Sequence, residues 1–130
     1  MAAYEKAHTD QIASKQWPHW IPVRYHFGIE TFGINLWRGQ DDGTVIPEHA
    51  ESASGAPELY YVVDGQATFT VAGDEIDAPA GTCIWVKDPS AKRAARTTGK
   101  DTLVLSVGAA APGQAYSPAG WDSHYLDGDK

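Results

Sequence analysis

Glu58-Leu59-Tyr60-Tyr61-Val62-Val63-Asp64-Gly65-Gln66-Ala67-Thr68-Phe69-Thr70-Val71 is the stretch on which the fold turns. Two runs rich in β-branched and aromatic residues meet at Asp64-Gly65. Glycine lacks Cβ and takes positive φ without steric cost, so the pair suits a tight turn. The pattern predicts a β-hairpin over 58–71. Outward from it, turn clusters recur at Gln40–Gly43, Ala72–Asp74, Pro79–Gly81 and Asp88–Ser90. Strands are expected between them: 32–37, 75–78, 82–86, 92–97 and 102–107. Val23-Arg24-Tyr25-His26-Phe27 alternates and reads as a further strand. Some eight to ten short strands with turns every 8–12 residues predict an all-β sandwich or barrel. Residues 1–22 read as an N-terminal arm with one or two helical turns within 4–16. Pro18 and Pro22 make its end extended. The barrel is expected over 23–108, and 109–130 as an acidic, turn-rich tail held by Trp121 and Tyr125.

Composition narrows the function. The 130 residues include 42% hydrophobic and 21% charged residues, 13 Gly and 8 Pro, the range of one globular domain with many turns. Ten Lys and Arg against 17 Asp and Glu leave a net charge of -7. Such a chain repels phosphates, so a nucleic-acid partner is not expected. The single Cys83 precludes an internal disulfide or a cysteine-rich zinc cluster, and its apolar run, 82–86, suggests a small buried side chain. No signal-peptide core and no 18-residue apolar stretch occurs, so a cytoplasmic protein with no membrane contact is expected.

The chemistry concentrates at Gly43, His49-Ala50-Glu51, Glu58 and Gly65. Residues i and i+2 of a strand share a face, so His49 and Glu51 can project together, and Glu58 at the start of the next strand can reach the same point. One imidazole and two carboxylates suit a divalent transition metal with open positions.

These residues resemble the first motif of the cupin superfamily, G-x5-H-x-H-x3,4-E-x6-G. Gly43, His49, Glu58 and Gly65 match it, Glu51 stands in the place of the second His, and the following loop is six residues long. Gly73, Pro79 and Gly81 match half of the second motif, with Ile84 where its His would be. An alternative alignment puts Lys92, beside Arg93, at the fourth-ligand position. The resemblance, over about 23–108, implies a cupin-type double-stranded β-helix or jelly-roll barrel, similar to small single-domain bacterial cupins. Family cupins hold Fe, Mn, Ni or Zn by three His and one Glu. Two pictures follow for this chain. Either His49, Glu51 and Glu58 hold a metal completed by waters, or Lys92 or Arg93 replaces the metal's charge with an internal salt bridge.

Arg24 and His26 alternate on their expected strand and are candidates for the barrel mouth. Trp37, Tyr60 and Trp85, with Lys92 and Arg93, complete the expected pocket; Trp17, Trp20 and Tyr25 suit packing or an interface. His19 is a further possible ligand, while His8 and His124 fall in terminal segments. Ser52 and Ser54 lack a nucleophile elbow, and no glycine-rich loop leads into a helix. Three functions remain: a cupin binding a small molecule, anionic ones included, near Lys92, Arg93 and Arg96; a metal-dependent oxygenase, isomerase or lyase; and a homodimeric scaffold joined by sheet extension or arm exchange.

Overall fold

The structure is a computed structural model that describes residues 3–99 and 101–116. Trp121, Tyr125 and His124 lie outside the described residues. Among the described residues, two short helices, α1 (Thr9–Ile12) and α2 (Val23–Phe27), accompany nine strands. These are β1 (Trp20–Ile21), β2 (Gly33–Arg38), β3 (Thr44–His49), β4 (Glu58–Asp64), β5 (Gln66–Val71), β6 (Asp74–Pro79), β7 (Cys83–Val86), β8 (Arg93–Arg96) and β9 (Leu103–Gly108). They form two antiparallel sheets, β1-β2-β9-β4-β7 and β3-β8-β5-β6, an all-β jelly roll.

The Asp64-Gly65 turn does not close a hairpin. β4 pairs with β7 and β9, and β5 pairs with β6 and β8, so the turn carries the chain from one sheet to the other. Its positive φ of 76° is as expected for glycine at a tight corner. A Cβ there would come within 2.5 Å of Thr102 Oγ1 and 2.8 Å of Thr102 Cα. The Gln66 N–H donates to the Thr102 hydroxyl (3.3 Å), which fixes the corner to the start of β9. The true hairpin is β5–β6, closed by Ala72-Gly73 with φ of 52° and 85°, the two left-handed residues of a tight primed turn.

Residues 23–27 form α2 instead of a strand. None of the five is buried, so their alternation had no core face to reward. Pro22 precedes the helix and Gly28, in the left-handed region at φ 69°, ends it by donating to the Arg24 and Tyr25 carbonyls. That is the proline-before, glycine-after signature of a helix. Trp20-Ile21, expected in the arm, joins the sheet as β1 beside β2.

The inner faces share one core. Tyr60 on β4 packs on Phe69 on β5 with ring centroids 5.4 Å apart, and Val45, Ile46, Val62 and Val104 are fully enclosed around them. On the outer faces the sheets differ. Across the first, register aligns Leu36–Leu105–Tyr61–Cys83 and Ile34–Val107–Leu59–Trp85. Across the second it aligns Asp77–Thr68–Arg96–Thr44.

Candidate functional site

Two β-bulges in β3, between Thr44 and Ile46 and between Ile46 and His49, break its pairing with β8 around Pro47, a residue with no N–H to donate. After the second bulge His49 stands directly opposite Arg93 of β8 and its ring points into the barrel. Glu51 lies just past the strand, anchored by its backbone N–H to the Pro89 carbonyl at 2.8 Å. Glu58 opens β4 on the other sheet. The site is thus a bridge between the two sheets.

His49 Nε2 is 3.1 Å from Glu51 Oε1 and 3.8 Å from Glu58 Oε1. The Arg93 guanidinium lies 3.2 Å from that same Glu58 oxygen, which also accepts a hydrogen bond from the Tyr60 hydroxyl. Arg93 is only 1% exposed, and its Nε and Nη2 donate to the Ala91 and Asp88 carbonyls. Burial disfavours the His49 imidazolium, but the Glu51 and Glu58 carboxylates and the Pro47 carbonyl outweigh it and lift its pKa to about 9. Burial likewise works against the Glu58 carboxylate, yet His49, Tyr60 and Arg93 together hold its pKa below the ordinary value. Burial and the adjacent Glu58 charge push the Tyr60 phenol well above 10. At neutral pH two cations therefore face two carboxylates, and the cluster balances its own charge.

The same atoms form the metal-ligand set expected from the sequence: one donor atom from each of His49, Glu51 and Glu58, all within 4.8 Å of one another. His49 Nδ1 sits 3.0 Å from the Pro47 carbonyl, an anchor that leaves Nε2 as the ligating nitrogen, as outer partners of metal-bound histidines do. This donor set fits a divalent ion with waters at its remaining positions. Such an ion and the His49 proton compete for Nε2.

The cluster opens into a cavity walled by Trp20, Trp37 and Tyr60, with Asn35, Ser54 and Ser106 as polar lining. Water-molecule centres can occupy about 40 Å³ of it, room for roughly two or three waters. Asn35, Ser106 and Tyr60 are neighbours in one inward row. Ser106 is engaged by the Trp37 indole N–H at 3.1 Å. Asn35 Oδ1 is a buried acceptor without a hydrogen-bond partner among the described residues. Asn35 and Ser106 were not singled out in the sequence, although Asn35 lies two residues before Trp37 on one strand and so shares its face.

Other expected pocket residues lie elsewhere. Arg24 and His26 belong to α2, outside the cavity lining, and Arg24 donates to the Ile29 carbonyl at 3.1 Å. Trp85 is 52% exposed on the outer face, because alternation along β7 turns Ile84 and Val86 inward. Cys83 shares that outward phase and is exposed, not buried. Lys92 is exposed, and the cation that reaches the cluster is Arg93. His19 is half-buried; burial lowers its pKa, partly offset by Asp42.

Fold and site together define the class: the chain has the cupin fold. It is similar to a cupin protein from Bacteroides fragilis, at TM-score 0.67 and 18% identity over 91% of this chain and 93% of that one. It is also similar to the TT1209 protein of Thermus thermophilus, at TM-score 0.58 and 20% identity over 82% and 91%. A nucleoside dehydratase, whose Streptomyces form is known with uridine, matches at TM-score 0.51 and 18% identity over 63% of this chain and 62% of that one. No protein-family model matches the sequence, and no curated protein does.

Proposed function

We propose that the chain is a small-molecule-binding cupin that holds its ligand in the barrel cavity against the His49–Glu51–Glu58–Arg93 cluster. The observation that carries this reading is the buried Arg93–Glu58 pair: with His49 protonated, the cluster is neutral without an added ion. The anionic ligand expected from Lys92, Arg93 and Arg96 loses its support. Lys92 and Arg96 are exposed and Arg93 is spent on Glu58. What faces the cavity is acceptor-rich, namely two carboxylates and Asn35 Oδ1, between aromatic walls. That lining favours a small neutral molecule bearing hydroxyl donors. Thermal-shift screening against small alcohols, diols and organic acids at millimolar concentration tests this. The expected result is stabilisation of a few degrees by a hydroxylated compound, diminished in Asn35→Leu. Stabilisation by organic acids alone, or by nothing, would refute it.

A second reading is favoured by the Pro47 anchor on His49 Nδ1 and the three converging donor atoms. In it, His49, Glu51 and Glu58 hold an Fe, Mn, Ni or Zn ion, which would polarise a substrate or activate water or oxygen. Here Tyr60 and Arg93 orient Glu58 and keep its charge available. Elemental analysis of protein purified without chelators separates the two. Near-stoichiometric metal, lost in His49→Ala, supports this reading; less than about one-tenth of an ion per chain after reconstitution removes it. No helix among the described residues is long and apolar enough to cross a membrane, and the cytoplasm is the compartment we propose.

A further inference from the structure

Gly33 opens β2 and Gly108 closes β9. The two pair directly, and Gly108 pairs in turn with Glu58. This row, Gly33–Gly108–Glu58, lies beside the inward row Asn35–Ser106–Tyr60 and lines the same cavity. The backbone does not call for either glycine, since neither has a positive φ, and glycine within a strand weakens it. What the pair provides is room beside Glu58, and a side chain occupies that room. A Cβ on Gly33 would collide with the Tyr116 hydroxyl and lie 3.1 Å from Tyr116 Cζ, while one on Gly108 would touch Tyr116 Cε2 at 3.9 Å.

The chain itself brings Tyr116 back to this place. Just after β9 the Ala109 N–H donates to the Pro57 carbonyl at 3.1 Å, which ties the chain to the loop that carries Ser54. Pro112 and Gly113, the latter with φ of 75°, then form a type II turn closed by the Gln114 N–H on the Ala111 carbonyl at 3.0 Å. The turn reverses the chain, and the Tyr116 ring becomes part of the cavity wall. We infer that Tyr116 sets the size of the molecule the cavity accepts. Its ring, seated on the Gly33–Gly108 pair, is the wall beside Glu58, and it restricts the site to hydroxylated molecules of about two or three carbons. This rests on the proposed binding of a neutral hydroxylated molecule in the cavity, and adds its upper size. The reasoning is steric. With the ring seated, water-molecule centres have about 40 Å³. A phenol ring is bulkier than the roughly two or three waters that fit there, so a ligand of ring size needs the seat that Tyr116 holds. The hydroxyl at Gly33 is secondary, because it is the ring that fills the space left by two missing side chains.

Thermal shifts with ethylene glycol and with cyclohexanediol at millimolar concentration test the inference on the full chain. Ethylene glycol is expected to stabilise the wild type by a few degrees, and cyclohexanediol to leave it unchanged. Tyr116→Ala is expected to gain a shift of a few degrees with cyclohexanediol, and Tyr116→Phe, which restores the ring, to lose that gain. Gly33→Ala keeps Tyr116 but takes its seat, so it too should gain the cyclohexanediol shift, and it serves in place of Tyr116→Ala should that variant fail to fold. A Tyr116 that merely stabilised the tail would not be mimicked by a methyl group at Gly33. Nuclear Overhauser contacts between the Tyr116 ring and the Gly33 Hα protons report the seat without any ligand; they are expected in the wild type and lost in Gly33→Ala. Their absence from the wild type overturns the inference. So does cyclohexanediol that stabilises wild type and Tyr116→Ala alike, or neither of them while ethylene glycol acts; in these cases the cavity reading stands. If neither compound shifts any variant, the cavity reading falls and the size limit falls with it.

Discussion

Two rows of side chains, one on each sheet, run across four strands and face away from the core. One reads Asp77–Thr68–Arg96–Thr44 and the other Leu36–Leu105–Tyr61–Cys83. Both sheets follow the same pleat and bury the same kind of inward side chain, so the contrast lies in what each outer face is for. The polar row is at home in water. The apolar row asks for cover. Inside, the sheets are held together by hydrophobic packing and, beside the cavity, by a polar bridge in which His49 and Arg93 from the first row's sheet meet Glu58 from the other.

The strongest way to break that bridge is Arg93→Met. Glu58 would keep its burial and lose its guanidinium, and stripping one partner from a buried pair costs about 3–5 kcal/mol. Urea unfolding should show that loss. Adding Glu58→Leu to Arg93→Met is expected to recover part of it, because the stranded charge goes too.

Alkaline pH loosens the same bridge. The folded pKa of His49, about 9, is above the unfolded 6.5. Its contribution is therefore complete below pH 6.5 and lost as pH rises through 9, on the order of 3 kcal/mol in all. Glu58, with its folded pKa depressed, works in the opposite direction, its contribution fading as pH falls below its unfolded value. Urea midpoints between pH 6 and 9.5 should decline in the wild type and stay nearly flat in His49→Gln.

Gly65→Ala attacks the corner where the chain changes sheets. With φ at 76° and Thr102 in the way of a Cβ, a loss of about 1–3 kcal/mol is expected by thermal or urea unfolding. The smallest effect is expected on the polar outer face. There Thr70→Lys should change stability by no more than about 0.5 kcal/mol.

Strand content was legible because period-2 alternation and turn residues are local signals. Where local signals are ambiguous, the sequence misled. Asp64-Gly65 specifies a tight turn whether the next strand pairs back or crosses to another sheet, and only the pairing of β4 with β9, distant in sequence, decides between them. Val23–Phe27 alternates, but the Pro22 and Gly28 that bound it proved the stronger signal. His49, Glu51 and Glu58 could be placed together from strand geometry and motif spacing. That Arg93 and not Lys92 reaches Glu58 depends on the phase of β8, which a one-residue shift reverses. The apolar outer face was visible as hydrophobic residues, but without the sheet order nothing marked Leu59 and Trp85 as outward.

The charge cluster is complete in itself, with His49 carrying a proton between two carboxylates. Nitrogen-15 NMR of the imidazoles in chelator-treated protein, with His49 assigned by comparison with His49→Gln, measures this directly. The expected result is a His49 ring protonated on both nitrogens at pH 7, titrating near 9. A His49 that is neutral at pH 7, titrating at or below 6.5, would contradict it.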